Sequence, residues 1–155
     1  MSKIAKTNSH LTLVGFFVLL VSSASAATEI AFTGLDAANP TNLSAAANWS
    51  ATPGADTIGV IDLSQTPAQG YVVNSDLALA GLRIRNNSGK AVTIAGSGTL
   101  TIGADGYVSG AKGKLTLECP LATSANQVWD FKQADFTTGS TISGSDEMVI
   151  SNYTY

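Results

Sequence analysis

The side chains best able to do chemistry in this sequence are its carboxylates, one arginine pair and one thiol. Hydrolysis of a glycosidic bond needs two carboxyl groups roughly 5 to 10 Å apart across the substrate. Asp146 and Glu147 are adjacent, so in a strand they point to opposite faces. Asp56 and Asp62 lie six apart, Asp130 and Asp135 flank a turn, and Asp76 and Asp105 sit in or beside turns. These read as solvated turn and edge residues. Arg83 and Arg85 share one face of any strand that holds both. Without a matching aspartate cluster they read as edge charges.

Other chemistries are excluded by residues the chain lacks. The single histidine, His10, belongs to an apolar leader. The remainder therefore has no Ser-His-Asp or Cys-His pairing and no histidine metal ligand. Cys119 is the one cysteine, which precludes an internal disulfide and a thiolate zinc cluster. Its setting, "LTLECPL", predicts a buried, inert thiol. No phosphate-cradling G-x-x-x-x-G-K-[ST] motif is present, and "GADGYV" occurs once, whereas calcium-binding nonapeptide arrays repeat their unit. No catalytic, cofactor-binding or metal-binding residue is assigned, and no cofactor is expected. Trp49 and Trp129 are the two candidate glycan contacts, as stacking platforms for a sugar face. The competing reading buries both, with Trp49 covering the apolar end of the first turn of a coil.

The chain has 155 residues, with 8 Lys+Arg, 11 Asp+Glu and a net charge of −3. Lys3 and Lys6 precede the apolar run "LTLVGFFVLLV" and the small-residue segment "SSASAA". This is the pattern of a secretory signal peptide cut after Ala26. The run is too short to span a bilayer comfortably. Residues 1–26 are thus the signal peptide, and cleavage leaves one domain without a transmembrane segment, secreted or at the cell-envelope surface. Loss of two lysines makes that product more acidic still. Without a basic run, nucleic acid is excluded as a partner. Four N-x-[ST] sequons, at Asn42, Asn48, Asn86 and Asn152, matter only in a host that glycosylates.

The elements behind these residues are strands. Val92, Ile94, Leu100 and Ile102 alternate with Thr93, Thr99 and Thr101, the period of half-buried strands. Similar short runs recur at 58–63, 71–73, 77–79, 82–85, 107–108, 114–118, 127–131, 135–137, 141–143 and 148–151. Between them lie turn residues, among them Gly70, Asn74, Gly81, Asp105-Gly106, Gly110 and Gly139. The stretch Thr93–Gly98 echoes Thr101–Gly106, which suggests stacked, similar turns. Residues 27–57 predict an irregular cap, with a first strand near Ile30 and Phe32 and one helical turn over Ser44–Asn48, N-capped by Ser44. The result is an all-β chain. A β-solenoid and an antiparallel β-sandwich both fit it.

A resemblance favours the first. "LSAAANWSATPGADTIGVID", with Asn48-Trp49, Pro53 and Asp56, resembles the opening of secreted bacterial proteins carrying autotransporter-associated β-strand repeats. "LALAGLRIRNNSGKAVTIAGSGTLTIGADG" is similar to the first rungs of that family. "LTLECPLATSANQVWDF" matches its segment around Pro120-Leu121-Ala122, Gln127 and Trp129. "STISGSDEMVISNYTY" is similar to its segment around Ile142, Gly144, Asn152 and Tyr155. The resemblance implies a right-handed parallel β-helix with an N-terminal cap over 27–57 and rungs over 58–155. It also implies a secreted, adhesin-like or stalk-forming protein without catalysis. Family members are longer and end in a barrel or sorting segment, so a truncated product or fragment is expected here. Two alternatives remain: a carbohydrate-binding module that uses the tryptophans, and a polysaccharide-degrading β-helix enzyme. The expected partner is a surface or extracellular ligand, glycan among the candidates.

Overall fold

The computed structural model describes residues 26–66, 68–109, 112–131, 133–144 and 146–151. Residues 1–25 of the expected signal peptide (1–26), the sequon at Asn152 and Tyr155 of the family-like segment lie outside the described residues. The strands are β1 (Thr28–Ala31), β2 (Thr57–Asp62), β3 (Gly70–Val72), β4 (Leu77–Arg85), β5 (Val92–Ala95) and β6 (Leu100–Ser109). They continue with β7 (Lys112–Leu117), β8 (Leu121–Thr123), β9 (Gln127–Asp130), β10 (Gln133–Thr138), β11 (Ile142–Ser143) and β12 (Met148–Ser151). One isolated bridge in the cap, Phe32 to Trp49, is antiparallel; among the described residues every pairing between these strands is parallel. This removes the antiparallel sandwich and makes the chain a β-solenoid of about four turns.

Each turn contributes to two sheets. One runs β1-β2-β4-β6-β8-β11, with β9 on β6 and β12 on β9; the other runs β3-β5-β7-β10. Parallel strands need long crossovers, and here each crossover is a strand of the other sheet. Leu77, Leu100, Leu121 and Ile142 stack in register, in steps of 23 (77 to 100), 21 (100 to 121) and 21 (121 to 142) residues. A second column holds Ile30, Gly59, Leu82, Tyr107, Trp129 and Ile150. A third holds Tyr71, Ile94 and Leu117. Apart from Ile150, which is half exposed in the last turn, the matching faces of successive turns thus fill one thin core. The core ends in an aromatic group, in which the Phe131 and Phe136 rings stack 4.2 Å apart and Trp129 meets Phe136 edge-on at 5.9 Å.

Four local expectations change. Gly81 and Asp105-Gly106 do not end strands. β4 and β6 run through them, with a register shift between Leu79 and Gly81. Gly106, at φ +62°, lies so close to the next turn that a Cβ there would fall 2.1 Å from the Val128 carbonyl oxygen. Its glycine serves a corner where two turns touch. The echo between 93–98 and 101–106 relates consecutive sides of one turn, since Ile94 stacks on Tyr71 while Ile102 stacks on Leu79. Strand β8, absent from the expected runs, carries too few residues for an alternation to show. It forms because Leu100–Ile102 offers a paired edge. The helical turn is a 3-10 turn over Ala46–Asn48 that begins at Ala45 without a side-chain cap. Ser44 Oγ instead donates to the Ser75 carbonyl at 2.8 Å and accepts from the Ser75 N–H at 3.2 Å.

The cap itself is built like a turn of the coil. β1 lies on β2, and Thr41–Leu43 lies on β3, through Val72 N–H to Thr41 O at 3.0 Å and Leu43 N–H to Val72 O at 2.8 Å. Phe32, Leu43 and Trp49 are buried there. The Phe32 ring meets Trp49 and Tyr71 edge-on, at 5.1 and 5.5 Å.

Candidate functional site

The structure buries both tryptophans. Trp49 is 6% exposed and Trp129 1%. The Trp49 indole N–H donates to the Leu43 carbonyl at 2.7 Å, and that of Trp129 to Gln127 Oε1 at 2.6 Å. A sugar stacks on an open ring face, and neither ring offers one in this fold. Their place is the core, and in Trp49's case the cap.

Asn48, beside Trp49, is fully buried. Its Nδ2 donates to the Asn39 and Asn42 carbonyls at 2.7 and 2.9 Å, and its Oδ1 accepts from the Asp36 N–H at 2.7 Å. Its backbone oxygen accepts from the Thr33 N–H at 2.7 Å and the Gly34 N–H at 3.4 Å. One residue therefore ties both loops of the cap together. Asn86, also buried, donates to the Lys90 carbonyl at 2.7 Å and accepts from Ser88. At these two sequons the amide nitrogen that a glycan would take is already engaged in the fold. Cys119 is a free, buried thiol, and burial pushes its pKa up. That disfavours the thiolate that reactivity needs.

Several charged side chains are tied to neighbours. Arg83 and Arg85 do share the outer face of β4, where both reach Glu29 on β1; the Arg85–Glu29 contact is 3.3 Å. Asp76 accepts from the Thr99 N–H of the next turn at 2.8 Å. Asp62 accepts from the Ser64 N–H and hydroxyl at 2.9 and 2.7 Å. Those bonds, with help from Arg85, hold its carboxyl below its ordinary range. Asp146 and Glu147 precede β12, and the Glu147 N–H donates to Asn126 Oδ1 at 3.0 Å. Among the described residues, no three His, Cys, Asp or Glu side chains group as metal ligands.

A groove of about 470 Å³ opens beside this face, between the arm over 31–35 and the turn over 62–66. Its floor is apolar, from Ala31, Phe32 and Val60, and its rim is polar, from Asp62, Gln65, Thr66 and Arg85. Leu35 stands at the lip, 77% exposed. Both walls are fixed by hydrogen bonds. Gly34 and Asp36, on either side of Leu35, are pinned to Asn48. In the turn, the N–H groups of Gln65 and Thr66 bond the Asp62 carbonyl at 3.0 and 2.9 Å, and the Tyr71 hydroxyl donates to Thr66 O at 2.9 Å. Sequence reasoning missed this groove. The available signal was Leu35, one large apolar residue alone in "TGLDAANP", where burial has no periodic pattern to serve.

No protein-family model, curated protein or solved structure matches this chain. Among the described residues, no helix is long and apolar enough to cross a membrane.

Proposed function

We propose that this chain is an exported structural and interaction protein, a stalk-like or adhesin-like β-helix whose role is mechanical and whose chemistry is that of contact. The observation that carries the reading is the use of the polar side chains. Asn48, Asn86, Gln127, Asp62 and Asp76 are engaged in holding turns of the coil or its cap. Arg83 and Arg85 answer to Glu29 rather than to an aspartate cluster. A coil of in-register parallel strands is stiff along its axis, because each turn is hydrogen-bonded to the next. The leader over 1–26 and the likeness of the 44–63 segment to autotransporter-associated repeat proteins support export and surface display.

Fractionation with intact-mass measurement tests this. A product beginning at Ala27, found in the medium or the envelope, is the expected result. A product that retains Met1 and stays in the cytoplasm would overturn export. A panel of acidic and neutral polysaccharides tests the competing enzymatic reading. Release of new reducing ends by purified protein would replace the structural role with a catalytic one.

A further inference from the structure

We propose that the groove between the arm over 31–35 and the turn over 62–66 is a binding site for a neutral saccharide. The inference does not depend on whether the coil serves as a stalk. Four observations carry it. The first is size, since about 470 Å³ lies within the range of small-ligand sites and exceeds a single sugar ring. The second is the arrangement of polarity. The exposed Ala31 and Leu35, over the buried Phe32 and Val60, supply an apolar surface for the C–H face of a pyranose, while the Gln65 amide, the Asp62 carboxylate and the Arg85 guanidinium stand at the rim. A donor and an acceptor side by side match vicinal hydroxyls, each of which both donates and accepts.

The third observation is charge. Asp62 stands beside Arg85, and Arg85 in turn is paired with Glu29. The rim is therefore close to neutral, which selects against a phosphate or a polycation and leaves a hydroxylated neutral ligand as the best match. The fourth is rigidity. An exposed leucine normally lies on mobile chain or folds back onto apolar neighbours. Leu35 does neither, because backbone N–H groups on both sides of it are held by Asn48. A main chain held in place at the groove lip has less freedom to lose when a partner binds. Thr33 also lines the groove, and its buried hydroxyl oxygen has no hydrogen-bond partner among the described residues. Such a group gains when a ligand or a bridging water reaches it.

The test is a heteronuclear NMR titration of the ¹⁵N-labelled protein with cellobiose, maltose, lactose and di-N-acetylchitobiose. At least one is expected to shift the amides of Thr33, Leu35 and Ser64–Thr66 and the Gln65 side-chain amide, at millimolar concentration. Leu35→Ala and Gln65→Ala alter exposed side chains, so both variants should keep the parent far-UV dichroism. Each is expected to weaken binding about five- to tenfold, the worth of one contact or neutral hydrogen bond. Silence at these amides with all four sugars, up to tens of millimolar, overturns the proposal. So do shifts of equal midpoint in parent and both variants, and so does a stronger response to inorganic phosphate or spermidine than to any sugar.

Discussion

The Trp129 indole N–H and the Gln127 Oε1 meet at 2.6 Å inside the coil, two residues apart on one strand. The same amide turns its Nε2 to the Ile102 carbonyl of the preceding turn at 2.9 Å and to Ala125 O at 3.1 Å. Gln127 thus lets an indole be buried without an orphaned donor, and ties two turns together. Gln127→Leu removes the amide, so the indole N–H and Ala125 O lose this partner and Ile102 O keeps only the Ser124 N–H. It should cost about 1–3 kcal/mol by urea denaturation. Adding Trp129→Phe removes the donor, so the double variant should lose less than the sum of the singles. Simple additivity would show that the pair is not coupled.

Gly59 lies in the inward column between Ile30 and Leu82, and its missing side chain is the space that Trp49 enters. A Cβ there would stand 2.8 Å from Trp49 Cη2 and 3.0 Å from Leu79 Cδ1. The indole cannot swing aside freely, because its N–H is held by Leu43 O. Gly59→Val should therefore overpack the cap and lower stability by about 1–3 kcal/mol, with a change in tryptophan fluorescence. An unchanged emission spectrum and midpoint would mean that Trp49 does not occupy this space in solution.

These two contacts show what was legible in the sequence. The strand content, the single buried thiol and the burial of both tryptophans follow from alternation and from apolar context. The pairing of Gln127 with Trp129, present in "NQVWDF", has a physical meaning only once the turn below supplies Ile102 O. The 21- to 25-residue stacking step of the turns after the cap was hidden because glycines at corners look like glycines in hairpins. Gly81 and Gly106 are corners where neighbouring turns touch, and no local pattern separates that from a reversal. The groove was invisible for a related reason. It joins residues 31–35 to 62–66 across the cap, and its one sequence trace is an isolated leucine.

Asn48 offers a sharper test of the cap. Asn48→Asp replaces an amide that donates to two carbonyls with a carboxylate that only accepts. The new charge would face Asn39 O and Asn42 O in a fully buried site. The expected loss exceeds that of Asn48→Ala, which removes the bonds without adding like-signed oxygens. Hydrogen exchange should locate it. The amides of Thr33, Gly34 and Asp36 should lose protection first, while those of β7 and β9 stay protected. Uniform loss along the coil would mean that the cap and the turns unfold as one unit.

Cys119 gives the pH dependence its direction. Burial raises its pKa from an ordinary value of 9.0, so the folded chain holds that proton after the unfolded chain has released it. Above pH 9 the unfolded state then binds fewer protons than the folded one, and stability falls as pH rises. The stabilising contribution is complete below pH 9 and is lost through the folded-state pKa above it. Tyr71 acts with the same sign, chiefly through burial, but from an ordinary value of 10.0. Between pH 9 and 10 the decline should thus belong mainly to the thiol, at up to about 1.4 kcal/mol per pH unit for one proton. Cys119→Ala should flatten that interval, although the variant is less stable at pH 7 because a buried sulfur has gone. In the parent, a neutral thiol reagent should label Cys119 only as fast as the coil opens, with a rate that follows urea concentration. Rapid labelling in native buffer, or an alkaline slope that survives Cys119→Ala, would place the thiol outside the closed core.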